Sequence, residues 1–233
     1  RELKKEFPNL LSYTRFVERI PRVAIPLLLF LKLGLMGECT GITFIDSTRI
    51  PVCENKRQSR NRVFKGYAQK GKSTMGWYYG FKLHLLCNER GELLNFALTR
   101  ANVDDRNPKV FNDLTKDLFG KLYADKGYIS QSLFASLFDR GVHIVTGIRT
   151  NMKNRLMDVH DKIMLRKRSI IETINDMLKN VAQIVHTRHR SISNFIVNLL
   201  AGIAAYAFYD TKPSINMEFE RDAKQGVKQL TLF

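Results

Sequence analysis

A chain of 233 residues and 27.0 kDa, 44% hydrophobic, has room for one large domain or a domain with an appendage, which excludes a peptide or a disordered tail. Its 38 Lys and Arg against 22 Asp and Glu give a net charge of +16 and a pI of about 9.9, a field that attracts polyanions and makes nucleic acid the first partner to consider. Cys39, Cys53 and Cys87 lack paired metal-ligand spacing, which argues against a disulfide framework or structural zinc and for a reducing compartment.

Residue 1 is arginine, so a targeting segment or leading domain can lie upstream. Residues 1–40 read as helical, punctuated by Pro8, Pro21 and Pro26. Their most apolar stretch, Val23 to Met36, is interrupted by Pro26 and Lys32 and falls short of the roughly 20 residues of a membrane span, so it reads as core or helix-packing surface. From Gly41 the pattern changes to strands at 41–46, 77–87 and 91–99, the last two joined by the hairpin-like turn Asn88-Glu89-Arg90-Gly91. Asn107-Pro108 opens a helix, 121–125 is a fourth strand, 131–138 a helix and 143–148 a fifth strand. Helices follow to about Tyr209, and a polar, loosely held tail begins at Ser214. The order β-β-β-α-β-α-β-α predicts an α/β domain, a mixed five-stranded sheet flanked by helices.

Two carboxylates sit awkwardly in that pattern. Ile42, Phe44 and Asp46 alternate onto one face, so the aspartate continues an apolar stripe, where an unpaired polar group costs roughly 2–7 kcal/mol and an ion more. Leu122-Tyr123-Ala124-Asp125 repeats the design, and two such aspartates at one sheet edge would have their repulsion relieved by a divalent cation. On a helix over 166–184, Ile170, Ile174, Met177, Val181 and Ile184 form a buried stripe. Glu172 and Asp176 lie on the adjoining face, bracketed by Arg168 and Lys179, which makes Glu172 a third candidate ligand. Singly, each acid also reads as a turn, cap or solvated helix residue.

Between 56 and 72, Lys56, Arg57, Arg60, Arg62, Lys65, Lys70 and Lys72 carry positive charge with no Asp or Glu between them. This run reads as a DNA-contacting loop, with Phe64 and Tyr67 either stacking on bases or anchoring it. Asp104 and Asp105 read as ordering the helix start, His84 as polar surface, and His186, Arg188, His189 and Arg190 as a cationic helix end.

Gly41-Ile-Thr-Phe-Ile-Asp-Ser-Thr, Trp77-Tyr-Tyr-Gly-Phe-Lys-Leu-His, Ala101-Asn-Val-Asp-Asp-Arg, Tyr123-Ala-Asp-Lys-Gly-Tyr and Ser169-Ile-Ile-Glu-Thr-Ile-Asn-Asp, in that order, resemble the DDE transposases of bacterial insertion sequences, most closely the insertion-sequence 982 family. The resemblance implies a ribonuclease-H-like catalytic domain over 41–210, a helical segment 1–40 that is the remainder of an amino-terminal DNA-binding region, and a tail 211–233. It implies catalytic and metal-binding Asp46, Asp125 and Glu172, holding two Mg²⁺ ions for which Mn²⁺ can substitute, with Asp46 bridging both. Arg168, Glu172 and Lys179 keep the spacing of a Tyr-Arg-Glu-Lys signature, with Leu165 at the tyrosine position; Arg168 and Lys179 would hold phosphates or steady the glutamate. The implied activity is cleavage at transposon ends and transfer of the 3′-hydroxyl strand into target DNA. The implied partners are double-stranded DNA and further copies of the chain in a synaptic complex, with no membrane, in the bacterial cytoplasm at the nucleoid. Alternatives are a nuclease of the same fold without strand transfer, or a catalytically silent DNA-binding remnant.

Overall fold

The computed structural model describes residues 5–6, 8–148, 156–185 and 188–215. After two short amino-terminal helices, α1 (Tyr13–Arg19) and α2 (Ala24–Phe30), the chain lays down β1 (Ile42–Cys53), β2 (Gln69–Ser73), β3 (Gly76–Asn88) and β4 (Leu93–Arg100). There follow α3 (Pro108–Leu114), β5 (Gly120–Ala124), α4 (Gln131–Phe138), β6 (Val142–Thr146), α5 (Val159–Lys167), α6 (Ser169–Asp176) and α7 (Ile192–Ala207). Among the described residues no helix is long and apolar enough to cross a membrane.

β1 lies at the centre of the sheet. It pairs antiparallel with β3 along most of its length and parallel with β5, which pairs parallel with β6. The outer edge of β3 is shared, its first part by β2 and its second by β4, both antiparallel. The five anticipated strands are the spine, in the order β4-β3-β1-β5-β6, and β2 is an addition drawn from the basic run. Its sequence, Gln-Lys-Gly-Lys-Ser, has no apolar alternation to announce a strand; the tight connection at Gly76, with φ of 101°, closes the hairpin. Lys70 and Lys72 therefore stand on a strand rather than in a loop.

Alternation along the strands divides the core in two. Phe44, Ile50, Leu83, Leu85, Tyr123 and Val145 face α5, α6 and α7, whereas Ile45, Leu86, Leu122 and Ile144 face α3 and α4. Phe195 of α7 stacks on Phe81 at 5.1 Å and meets Phe64 edge-on at 5.4 Å. Phe64 is thus a core anchor, 2% exposed, and not a base-stacking residue, while Tyr67 is exposed.

Four expectations change here. The first strand was expected to stop at Asp46; β1 instead runs on to Cys53 because β3 continues beside it, while the parallel register with β5 extends only to Phe44 and Tyr123. Pro51 is tolerated because this half of β1 has no pairing partner on its other side. The long helix is broken at Arg168 and becomes a π-turn over Met177–Val181, which stretches the repeat so that Leu178 is buried and Val181 exposed. The helix ends there, so Arg188, His189 and Arg190 are not a helix terminus, and His186 lies outside the described residues. At the other end the chain is not loose through residue 215: the Ile215 N–H donates to the Glu89 carbonyl at 2.8 Å.

Replacing Phe195 with alanine removes the hub of the aromatic cluster, and a loss of about 3–5 kcal/mol is expected in urea unfolding. Tyr67→Ala, at an exposed site, is expected to stay within about 0.5 kcal/mol of the parent.

Candidate active site

The paired register of β1 and β5 ends at Phe44 and Tyr123, whose rings stack at 5.5 Å. Continuing each strand by two residues reaches Asp46, on the face that carries those rings and on which α6 packs, and Asp125, just past the end of β5. Asp125 is exposed at the end of β5, where its carbonyl accepts from Tyr128 N–H at 3.0 Å and starts the short 3₁₀ turn Lys126–Tyr128. Two networks bring the acidic helix to this place. Asp161 of α5 accepts from Lys121 Nζ at 2.7 Å and Tyr123 OH at 2.8 Å, fastening α5 to β5, and the apolar stripe of α6 covers β1.

Asp46 is the best-enclosed of the three candidate acids, its side chain 23% exposed against 56% for Glu172. Its Oδ2 accepts from Asn175 Nδ2 at 3.0 Å, and its Oδ1 lies 3.8 Å from Arg168 Nη1. Arg168 Nη2 donates to Glu172 Oε1 at 2.7 Å, so one guanidinium at the α5–α6 junction joins the strand aspartate to the helix glutamate. Burial pushes the Asp46 pKa up to about 6; Arg168 and the Ser47 N–H oppose the shift, and the negative charges of Glu172 and Asp105 add to it. Burial also lowers the pKa of Lys179, which feels Arg49 in the same direction and Asp46 and Asp176 in the other.

Asp46, Asp125 and Glu172 offer only hard oxygen donors, the set a divalent cation such as Mg²⁺ prefers. Asp46 fits that role specifically: a largely desolvated carboxylate with its pKa raised to about 6, whose ion-pair contact among the described residues is Arg168 at 3.8 Å, is short of positive charge. Among the described residues, however, no three His, Cys, Asp or Glu side chains are grouped closely enough to hold a metal. Arg168 joins Asp46 and Glu172, while Asp125 stands exposed at the strand end.

The seven cations of the basic run are all exposed, Lys56, Arg57 and Arg60 on the 3₁₀ turn Asn55–Arg60 and Lys70 and Lys72 on β2. Asn175 was overlooked in sequence, although it lies three residues from Glu172, the spacing that returns to one helix face. His84 is buried, not surface: β4 covers it, its Nε2 pairs with Thr99 Oγ1 at 2.9 Å, and burial lowers its pKa to about 4. The helix at Pro108 is capped by Asn107, which accepts from Val110 N–H at 3.3 Å. Asp104 orders the turn before it, its Oδ1 accepting from the Arg106 N–H at 2.8 Å while its carboxylate chelates the Arg106 side chain, and Asp105 pairs with Lys82 at 3.0 Å beside a polar cleft of about 330 Å³.

An antiparallel meander continued by two parallel strands, with helices on both faces and an acidic helix over the central strand, defines a ribonuclease-H-like α/β domain. Residues 36–192, more than half of the chain, match the family model described as the transposase DDE domain, and the chain belongs to that family. No curated protein matches it in sequence. Among solved structures it is similar to the piggyBac transposase synaptic complex with hairpin DNA, at 11% identity and TM-score 0.48, over 74% of this chain and 47% of that one. It is also similar to the Mos1 strand transfer complex, at 10% identity and TM-score 0.32, over 88% of this chain and 65% of that one. The chain thus spans between about half and two thirds of the length of these structures.

Asp46 also sets a pH dependence. Its folded pKa is raised from 3.8 to about 6, so the folded state holds the proton more tightly than the unfolded one, and stability falls as pH rises through that window. Asp46→Asn, which carries no charge to desolvate, is expected to be more stable than the parent by about 1–3 kcal/mol above pH 7. The difference should vanish below about pH 4 in thermal or denaturant unfolding across pH.

Proposed function

We propose that this transposase-family chain cleaves DNA at the ends of a mobile element and joins the freed 3′-hydroxyl to target DNA, with Asp46, Asp125 and Glu172 as the acidic triad. The observation that carries the reading is Asp46 itself. It is a carboxylate taken out of water where β1 loses its parallel partner, with Asp125 at the corresponding position of the neighbouring strand and Glu172 tied in through Arg168. A fold that only had to be stable would gain by an apolar residue there.

Drawn closer together than they stand in this structure, the three acids would hold two Mg²⁺ or Mn²⁺ ions, which would supply activation of the attacking oxygen and neutralise charge on the leaving one. Asn175 orients Asp46 through its amide N–H, leaving Asp46 Oδ1 for other partners. Arg168 is a positioning residue that keeps Glu172 beside Asp46. Lys179, half-buried near the same carboxylate, tempers the negative potential. Hydrolysis of one phosphodiester frees the 3′-hydroxyl; in the second reaction that hydroxyl replaces the 3′-oxygen of a target phosphodiester, so the number of phosphodiester bonds is conserved.

Lys56, Arg57, Arg60, Arg62, Lys65, Lys70 and Lys72 supply the phosphate-contacting surface, and affinity through them falls as salt rises. Residues 1–40 are read as the remainder of a DNA-binding region, 41–210 as the catalytic domain and 211–233 as a tail; assignment to the insertion-sequence 982 group and action as an oligomer belong to the same proposal.

The test is a strand-transfer assay with pre-cut element ends and plasmid target in Mg²⁺ or Mn²⁺. The parent is expected to give joined products, while Asp46→Asn, Asp125→Asn and Glu172→Gln each lose more than the roughly 10–100-fold typical of an outer-sphere substitution, with DNA binding retained. Joined products from Asp46→Asn would overturn the assigned chemistry. Nicking without joining would select the nuclease reading, and salt-sensitive binding without nicking the silent remnant.

A further inference from the structure

Trp77 is the single tryptophan of the chain and is 55% exposed at the start of β3, a position where its indole contributes little to the core. Cross-strand pairing puts Lys72 opposite it, and Lys70 follows on the same face of β2. The two ammonium groups lie 5.2 Å (Lys70) and 5.9 Å (Lys72) from the ring centre. The Trp77 carbonyl accepts from Asn55 Nδ2 at 2.6 Å, which fixes this strand end to the 3₁₀ turn bearing Lys56 and Arg57. Lys72 also lines the polar cleft of about 330 Å³, whose wall includes Lys82, Asp105, Arg106 and Gly127, the last two residues beyond Asp125. A flat apolar ring beside two cations, one of which also lines this cleft, therefore stands outside the acidic centre.

We infer that Trp77, Lys70 and Lys72 form a binding site for an unpaired nucleotide of the DNA, the base stacking on the indole and its phosphates meeting the two lysines. Stacking requires a base whose face is open, and in an intact duplex both faces are covered by neighbouring pairs. The site therefore selects a strand end, a frayed terminus or an extruded nucleotide over continuous duplex. The inference rests on the DNA reading above and adds to it which form of DNA is engaged.

Because Trp77 is the sole tryptophan, its emission reports on this site alone. The full chain is titrated with a blunt duplex and with one of equal length carrying three unpaired nucleotides at one end, while a dye at the far end reports binding by anisotropy. The unpaired-end duplex is expected to quench Trp77 and the blunt duplex to leave it nearly unchanged. Trp77→Ala should weaken binding of the unpaired-end duplex by roughly 5–100-fold, the range of one lost base–aromatic stack, with blunt-duplex affinity and thermal unfolding unchanged. Lys70→Gln with Lys72→Gln should weaken both duplexes and flatten the salt dependence. Binding of both duplexes with unchanged emission, or with no loss in Trp77→Ala, would overturn the stacking site and leave the DNA reading standing. Failure of both duplexes to bind would overturn that reading and this inference together.

Discussion

The organisation of this molecule turns on a carboxylate that the central strand carries into a place where water is scarce. Asp46 follows Phe44 on the face covered by the late helices, and the cost of desolvating it appears as a pKa pushed up to about 6. Compensation cannot come from β5, whose pairing with β1 ends at Phe44 and Tyr123. It comes from the Ser47 N–H of β1 itself and from α6 and its leading cap, through the Asn175 amide and the Arg168 guanidinium, the latter shared with Glu172. The break between α5 and α6 falls at Arg168, so the residue that closes one helix and opens the next also bridges the acids.

The rest of the fold serves that approach. The Asp161 contacts to Lys121 and Tyr123 hold α5 against β5, and Ile170, Ile171, Ile174 and Leu178 seat the following turns on the sheet. β3 does a second job: one edge pairs with β1 and thereby lengthens it past Asp46, and the other gives β2 and β4 a common partner. Gly80 permits this crowding, since a Cβ there would stand 2.2 Å from the Ile50 carbonyl oxygen. The basic segment is consequently anchored by sheet hydrogen bonds and by the buried Phe64, and presents its cations from fixed positions.

The fold was largely legible in sequence because most strands announce themselves through alternation or a turn. Ile42 to Ile45, Leu83 to Leu86 and Leu122 to Ala124 each divide their side chains between the two cores. β2 was not legible, since a strand on the outer edge of a sheet needs no apolar face and Gln69–Ser73 has none. His84 was misread, and the choice between stacking and anchoring was open for Phe64, for one reason: their burial depends on α7 and β4, elements distant in sequence, and not on their own neighbours. Val181 was misplaced because a stripe drawn at 3.6 residues per turn assumes an unbroken α-helix, which the π-turn violates. Of the candidate site, Asp46 was picked out by the apolar stripe it continues, although β1 does not end there, Asp125 by the end of its strand and Glu172 by its motif. Asn175 lay in the same motif, yet nothing in the residue type told an amide that hydrogen-bonds a carboxylate from a solvated one until Asp46 was found beside it.

Arginine at position 168 suits its place for a reason that lysine would not meet. A guanidinium has a planar fork of donors, and here one nitrogen addresses Asp46 while the other hydrogen-bonds Glu172. The two contacts differ in strength: 2.7 Å to the half-exposed glutamate and 3.8 Å to the enclosed aspartate. The stronger bond sits where water screens it, and the weaker one where the desolvated charge most needs compensation. An optimised buried ion pair would reverse that order. The carboxylate that remains under-compensated is the one carried by the central strand, just past the end of its pairing with β5, so the electrostatic deficit of the fold and its candidate chemistry coincide at a single side chain.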